Sequence, residues 1–312
     1  MAAPPTCGPW TLVVSFTFCA FSACIIMFKG SWINSGFAAL FGLVIGGLMV
    51  MSSHMPVYAR VFEISTCACL AFAVRSLHEY CCFKATVLPP IVILLPGFAM
   101  TMAVMEITSK HIVVGTIRLV YAVLYSFLLA YGLELGSYLY DVFHPDSSPD
   151  GYCPGTSDPT ASVLPPKWTF IPLFPILTCG ISMAFGSSPR QWISAALCGA
   201  LGFSATFFLS PIITDSDILN AISAFLVGLY AHLALKMTGE PPISPLSVGL
   251  TLLVPGSIGV EGAYTLLHQQ DLIKFNFALK MLNIAMGLSV GLFASGMVVY
   301  PFGKRRSLYI SL

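Results

Sequence analysis

Ten apolar stretches follow one another along this chain, at residues 10–28, 33–52, 61–80, 87–105, 112–140, 168–186, 191–210, 217–236, 244–267 and 277–302. Each approaches or exceeds the roughly 20 residues that a helix needs to cross about 30 Å of hydrocarbon. Lipid offers no hydrogen-bond partner, so a spanning backbone must satisfy its own amides and carbonyls, and continuous apolar runs of this length do so as helices. Charged residues are 9% of the chain and hydrophobic ones 57%, against about 25% charged in a soluble domain. The expected fold is an all-α polytopic membrane protein of about ten transmembrane helices, with the lipid bilayer as its first partner. A net charge of +1 and the lack of a basic run exclude polyanion binding, so nucleic acid is not an expected partner.

Lys and Arg in short loops mark the cytosolic face. With ten spans both termini fall on one side, which collects Arg60, Lys110, Arg190, Lys236, Lys304, Arg305 and Arg306, against Lys29, Lys84, Lys167 and Lys274 opposite. Both termini are therefore expected in the cytosol. The loop 141–166 agrees, holding Asp141, Asp146, Asp150 and Asp158 with no Lys or Arg. The first charge of the chain is Lys29, so no charged region precedes the first apolar run and no cleaved signal peptide is expected. Of ten cysteines, Cys19, Cys24, Cys67, Cys69, Cys179 and Cys198 fall inside spans, where they act as small apolar residues. Cys81, Cys82 and Cys153 match no metal-ligand spacing; neither a disulfide framework nor zinc is expected, and no cofactor is implied.

Within the fourth and ninth runs one short phrase recurs, Leu94-Leu95-Pro96-Gly97 and Leu253-Val254-Pro255-Gly256. A second match pairs Ala38-Ala39-Leu40-Phe41-Gly42 in the second run with Ala195-Ala196-Leu197-Cys198-Gly199 in the seventh. The offsets, 157 and 159 residues, are nearly equal and align span n with span n+5, as a duplicated five-span segment requires. Five is odd, so the second copy crosses in the opposite sense, giving two inverted five-helix repeats with broken fourth and ninth helices, an architecture associated with alternating access. The domains are then 1–140, an N-terminal five-helix membrane segment; 141–166, an acidic extracytosolic linker; and 167–312, a C-terminal five-helix segment with a basic cytosolic tail.

The run from Leu94 to Ile107, Leu-Leu-Pro-Gly-Phe-Ala-Met-Thr-Met-Ala-Val-Met-Glu-Ile, followed by Gly115-Thr116-Ile117-Arg118-Leu119, closely resembles the N-terminal membrane half of the threonine/serine exporter family. Fungal relatives in that family include pheromone-regulated membrane proteins. Gly30-Ser31-Trp32-Ile33-Asn34 is similar to the family's Gly-Gly-x-Trp-x-Asp pattern, and Ala224-Phe225-Leu226-Val227-Gly228 leading to Leu253-Val254-Pro255-Gly256-Ser257 resembles its C-terminal half. The resemblance covers about Lys29 to Gly291. It implies proton-motive-force-driven export of small hydroxy amino acids, as in bacterial members, with dicarboxylate export in a related two-subunit branch. Asn34 stands where the pattern favours Asp, which would remove one candidate proton carrier, and the chain begins almost at its first span, where the family has a preceding hydrophilic region.

The candidate substrate-binding residues are Pro96, Gly97, Pro255, Gly256 and Glu261. Proline and glycine free backbone groups that lipid cannot serve, so these groups must face protein or a wet cavity, and a half-helix starting after each Gly would aim its amide dipole at a substrate carboxylate. Glu261 follows Pro255 by six residues, roughly 9 Å of helix, and is expected to be protonatable or to bind an ammonium; a carboxylate at the bilayer centre costs on the order of 2.5–3.5 kcal/mol, which favours a cavity-facing or protonated side chain. Glu106, Arg118 and Asn34 are candidates for coupling or gating. Glu106 is ten residues past Pro96, roughly 15 Å of helix, too far to touch a ligand at Gly97, and Arg118 could reach it from the next helix. Arg75 and Glu79, four apart, could pair on one helix face, and Gly42-x-x-x-Gly46 and Gly132-x-x-x-Gly136 are close-packing signatures. No His-Glu-x-x-His or Walker phrase supports an enzyme; an intramembrane hydrolase would be the enzymatic alternative.

The expected function is secondary active transport, exporting small polar metabolites of the threonine/serine type with protons as the coupled ion, in the plasma membrane or an internal membrane such as the vacuole. A non-transporting scaffold of the same fold and a dicarboxylate exporter are the alternatives, and self-association into a homo-oligomer is compatible with the chain.

Overall fold

The computed structural model describes residues 8–55, 61–77, 80–144, 165–213, 215–239, 241–253, 260, 264 and 276–300. They form α1 Pro9–Ile26, α2 Trp32–His54, α3 Phe62–Ser76, α4 Phe83–Ile91, α5 Gly97–Thr108, α6 Ile112–Phe143, α7 Phe170–Ala184, α8 Trp192–Leu209, α9 Ser216–Thr238, α10 Ile243–Leu253 and α11 Asn276–Val299, with no strand among the described residues. Among the described residues each apolar run of the sequence carries helix, the run 87–105 being shared between α4 and α5 and the run 244–267 described as helix up to Leu253. Six are long and apolar enough to cross a membrane alone, and α4 and α5, bent by 48° at their break, make a seventh as a pair. The expected ten full spans are thus six or seven among the described residues. At 15, 15 and 11 residues, α3, α7 and α10 reach at most about 22 Å at 1.5 Å per residue, short of the hydrocarbon thickness.

The chain forms two compact units, each drawing on both sequence halves: Met1–Leu95, Tyr125–Gly186 and Val260–Lys274 in the first, Pro96–Leu124, Ser187–Gly259 and Phe275–Leu312 in the second. In the first unit α1 packs between α2 and α7, with α4 across α1 and α2. The Gly42-x-x-x-Gly46 spacing does what it predicts: a Cβ on Gly42 would stand 2.7 Å from the carbonyl oxygen of Phe16 and one on Gly46 2.8 Å from the Cα of Val13. Gly132 likewise brings α6 onto α3, its Cβ position 2.8 Å from the Ile64 carbonyl oxygen. Because the obstacle at Gly42 is backbone, Gly42→Ala should cost about 1–3 kcal/mol through overpacking, read as a lower unfolding midpoint in detergent. Gly36 has nothing within 4 Å of its Cβ position, so Gly36→Ala should leave the midpoint unchanged or raise it, since alanine is the better helix former; equal losses in both variants would refute the packing account.

In the second unit α9 lies along α11, α8 and α10 pack on each other and on α9, and α5 packs on α11 and α10. Its core is an apolar cluster that includes Met102, Met105, Cys198, Val227, Leu250, Leu253 and Leu288. The outward faces are apolar too, as on α6, where Val113 and Ile117 are 72% and 66% exposed. That is expected where the surrounding solvent is hydrocarbon. The repeated Ala-Ala-Leu-x-Gly phrase keeps the same environment in both places: Ala38 and Ala195 are fully buried, whereas Leu40 and Leu197 are exposed.

Candidate functional site

The break between α4 and α5 follows from its prolines. Pro89 and Pro90 lie inside α4 and have no amide hydrogen, so the carbonyls of Ala85 and Thr86 lose their helical donors; the Cys24 thiol of α1 donates to Ala85 O at 3.0 Å instead. The helix tightens to a 3-10 turn at Val92–Leu94, and Leu95 turns extended at φ −65°, ψ 130°. Pro96 could not serve the Val92 carbonyl, which accepts from the Leu95 amide at 3.3 Å. α5 resumes at Gly97, its ladder opening with Met100 N–H donating to Pro96 O at 2.9 Å. Every helix leaves its first amides without intrahelical acceptors, so the break puts the positive end of α5 at Gly97. Pro255, Gly256 and Glu261 lie outside the described residues, as do Glu79 and most of the linker. α10 runs to Leu253, the counterpart in the repeated phrase of Leu94, where the 3-10 turn ends. Phe98, next to Gly97, packs against the apolar cluster that contains Leu253. Phe98 and Leu253 thus meet at one core in the second unit.

Glu106 and Arg118 form an ion pair, Arg118 Nη1 to Glu106 Oε1 at 2.5 Å, with Arg118 41% and Glu106 23% exposed. The turn that brings them together has Lys110 at φ 68° and a 2.9 Å bond from the His111 amide to the Glu106 carbonyl. Gly115 seats α6 on α5, its Cβ position 2.7 Å from Ala103 O. Glu106 Oε2 is buried and has no hydrogen-bond partner among the described residues, so one carboxylate oxygen is committed and the other is not.

Asn34 is a stitch between helices. Ser31 caps α2 by accepting from the Asn34 amide, and Asn34 Oδ1 accepts from the Cys82 amide at the start of α4 at 3.3 Å. Its Nδ2 is buried without a partner among the described residues. Asn34→Asp would place a carboxylate where one backbone donor is its described partner. A buried charge with few partners costs more than the neutral acid, which can still hydrogen-bond, so the cost should grow with ionisation as pH rises. The unfolding midpoint of Asn34→Asp should fall further below that of the native protein at pH 8 than at pH 5; a difference independent of pH would refute this.

Three contacts go beyond the sequence reading. Arg75 pairs with Asp141 on another helix, its Nη2 lying 3.1 and 3.3 Å from the two carboxylate oxygens; Glu79, its expected partner, lies outside the described residues. Tyr264 Oη meets Ser137 Oγ at 3.4 Å, a contact the sequence reading missed. Glu134, Ser137 and Asp141 recur at i, i+3 and i+7 near the C-terminal end of the largely apolar α6, and that polar stripe was the available signal. Cys82 is disulfide-bonded, against the expectation of no disulfide, because metal-ligand spacing says nothing about cysteines joined through loops. Gly287-Leu288-Ser289-Val290-Gly291 has nucleophile-elbow spacing but lies inside α11, with Ser289 buried and donating to Met286 O at 2.8 Å; the strand-to-helix turn such a nucleophile needs is missing there.

Residues 1–140 match a family model described as "Putative threonine/serine exporter", and residues 171–298 match a second, "Threonine/Serine exporter, ThrE". An uncharacterized protein of Schizosaccharomyces pombe is 29% identical over 97% of this chain and 43% of its own length. Pheromone-regulated membrane protein 10 is 28% identical in Kluyveromyces lactis, over 96% of this chain and 33% of the relative, and 27% identical in Saccharomyces cerevisiae strain S288c, over 97% and 83%. The chain thus spans less than half the length of the first two. No solved structure matches. With both halves matched in order and the diagnostic Pro-Gly phrase inside each matched range, this multi-pass membrane chain belongs to the threonine/serine exporter family.

Proposed function

We propose that the protein is a proton-coupled secondary transporter that exports threonine- or serine-type amino acids, built as two inverted five-helix repeats with both termini cytosolic. The observation that carries this reading is a shared core: Phe98, just after the first break, and Leu253, which precedes the second phrase in sequence, meet in the apolar cluster of the second unit. The inverted repeat draws support from the matched burial of Ala38 with Ala195 and Leu40 with Leu197. It is supported too by the exchange of segments, the first half contributing Pro96–Leu124 to the second unit and the second half Val260–Lys274 to the first. Within this reading Pro96 and Pro255 break their helices so that the amides starting at Gly97 and Gly256 face the substrate carboxylate, Glu261 takes the substrate ammonium, and the Glu106–Arg118 pair acts as a gate. A membrane scaffold that kept the fold is the second reading, favoured by the stitch that Asn34 makes in place of the family's acid.

Counterflow of radiolabelled threonine, serine and succinate in proteoliposomes separates these. Exchange of threonine or serine supports the proposal, and succinate alone would move the protein to dicarboxylate export. No exchange of any of the three by folded protein would favour the scaffold.

A further inference from the structure

Resting on that reading of a proton-coupled transporter, we propose that the coupling proton travels along a polar ladder in the first unit, formed by Asp141, Ser137 and Glu134 of α6 with Tyr264 and Arg75. On a helix these three α6 positions fall within about 60° of one face and span about 10 Å of its axis. Arg75, 4% exposed at the end of α3, anchors the outer rung through its ion pair with Asp141 at 3.1 Å. Tyr264 supplies the middle rung with its hydroxyl on Ser137 at 3.4 Å, and its phenol lies in the electrostatic field of Glu134, Arg75 and Asp141 together. The Phe83 ring packs against that of Tyr264 at 5.5 Å. The inner rung is Glu134, half-buried one turn below Ser137.

The neighbouring helix matches this ladder in depth. Gly132 meets α3 at Ile64 and Gly136 meets it at Ala68, so the two helices run parallel with Glu134 level with Thr66. Thr66 is 2% exposed and its hydroxyl has no hydrogen-bond partner among the described residues, an unused polar group at the depth of the inner acid. Apart from Glu134, the charged residues that α3 and this end of α6 carry are Glu63, Arg75 and Asp141, and Arg75 and Asp141 act with Glu134 on the Tyr264 phenol. α6 is 32 residues long, about 48 Å at 1.5 Å per residue, which exceeds the hydrocarbon thickness. Its Phe143 end therefore reaches the aqueous interface, and Asp141, 32% exposed, exchanges protons there with water. In the relay a proton on Asp141 passes to a hydroxyl of the Ser137–Tyr264 pair. That hydroxyl releases its own proton towards a carboxylate oxygen of Glu134, one O–H bond forming for each that breaks. An ionised Glu134 inside the membrane is costly unless balanced. Its protonation therefore couples to helix rearrangement and gives protons a hold on the transport cycle.

The test uses the full chain with Glu134→Gln and Tyr264→Phe. Infrared difference titration of the reconstituted protein needs no substrate: the native protein should show a protonated-carboxyl C=O band that is missing in Glu134→Gln and shifted in its titration in Tyr264→Phe. In proteoliposomes Glu134→Gln should lose about tenfold or more of threonine uptake driven by a pH gradient, within the usual range for coupling between two sites, while threonine counterflow at equal pH stays at the native level. A carboxyl band unchanged in Glu134→Gln, or gradient-driven uptake equal to native, overturns the ladder. Absence of threonine transport by the native protein with the Glu134 band present would instead overturn the transport reading and leave a proton site standing.

Discussion

Asp141→Ala should destabilise the protein by about 3 kcal/mol, a larger loss than the partial exposure of Asp141 would suggest. The reason lies in its partner. Arg75 is 4% exposed and bonded by one nitrogen to both oxygens of Asp141; a guanidinium stays charged, so deleting the acid breaks a buried ion pair from the side that leaves the cation in place, which typically costs about 3–5 kcal/mol. Arg75→Met should cost less, because the Asp141 carboxylate it leaves behind reaches water with 32% of its side chain exposed. The Arg75→Met/Asp141→Leu double variant should recover part of the loss, with a coupling energy of about 1–3 kcal/mol in a double-mutant cycle. Denaturant unfolding in mixed micelles measures all three. Additive losses, or Arg75→Met costing more than Asp141→Ala, would show that the pair does not hold α3 to α6.

That pair also shows where sequence reading stops. Helix positions were legible because a backbone in lipid must satisfy its own hydrogen bonds, and among the described residues each apolar run carries helix. Their number as full spans was not, because run lengths ignore local breaks. The run 61–80 includes Arg75 and Glu79, and α3 occupies 62–76 of it. The run 87–105 is divided at Leu95, where an extended residue and a proline bend the path by 48°. Spacing rules see one helix at a time, so i, i+4 logic could offer Arg75 only Glu79 and gave no sign of Asp141, 66 residues away. Glycine spacing survived the step to three dimensions because a missing Cβ acts locally: it lets a neighbouring backbone approach whichever helix supplies it, as at Gly42 and Gly132.

The site was legible in proportion to how local its causes are. Pro96-Gly97 breaks its helix through missing donors on the same chain segment. The Glu106–Arg118 pair needs only one tight turn between two helices adjacent in sequence. Asn34 was read as a lost proton carrier, yet it also ties α2 to the first amide of α4, a role that depends on a partner 48 residues on and that sequence spacing does not reveal. The Tyr264–Ser137 contact is more distant still, 127 residues apart. Its trace in the sequence was the polar stripe at 134, 137 and 141 near the C-terminal end of a largely apolar helix.

The largest functional effect should fall on Glu261. If it holds the substrate ammonium six residues past Pro255, Glu261→Gln keeps shape and hydrogen-bonding capacity but removes the charge. Losing one partner of a desolvated charge pair costs about 2–5 kcal/mol, so threonine should bind roughly 30-fold or more weakly at every pH where the amine is protonated. Glu106→Gln should behave differently. Its carboxylate is ten residues from Pro96, roughly 15 Å of helix, and is held by Arg118; the variant should bind threonine as the native protein does and slow its turnover, because a gate loses its latch while the site keeps its ligands. Equilibrium binding by scintillation proximity and initial rates of counterflow separate affinity from turnover for each variant. If Glu261→Gln bound threonine like the native protein while Glu106→Gln lost binding outright, the substrate ammonium would belong to the Glu106–Arg118 end of α5, and the break at Pro96 would orient that end from a distance.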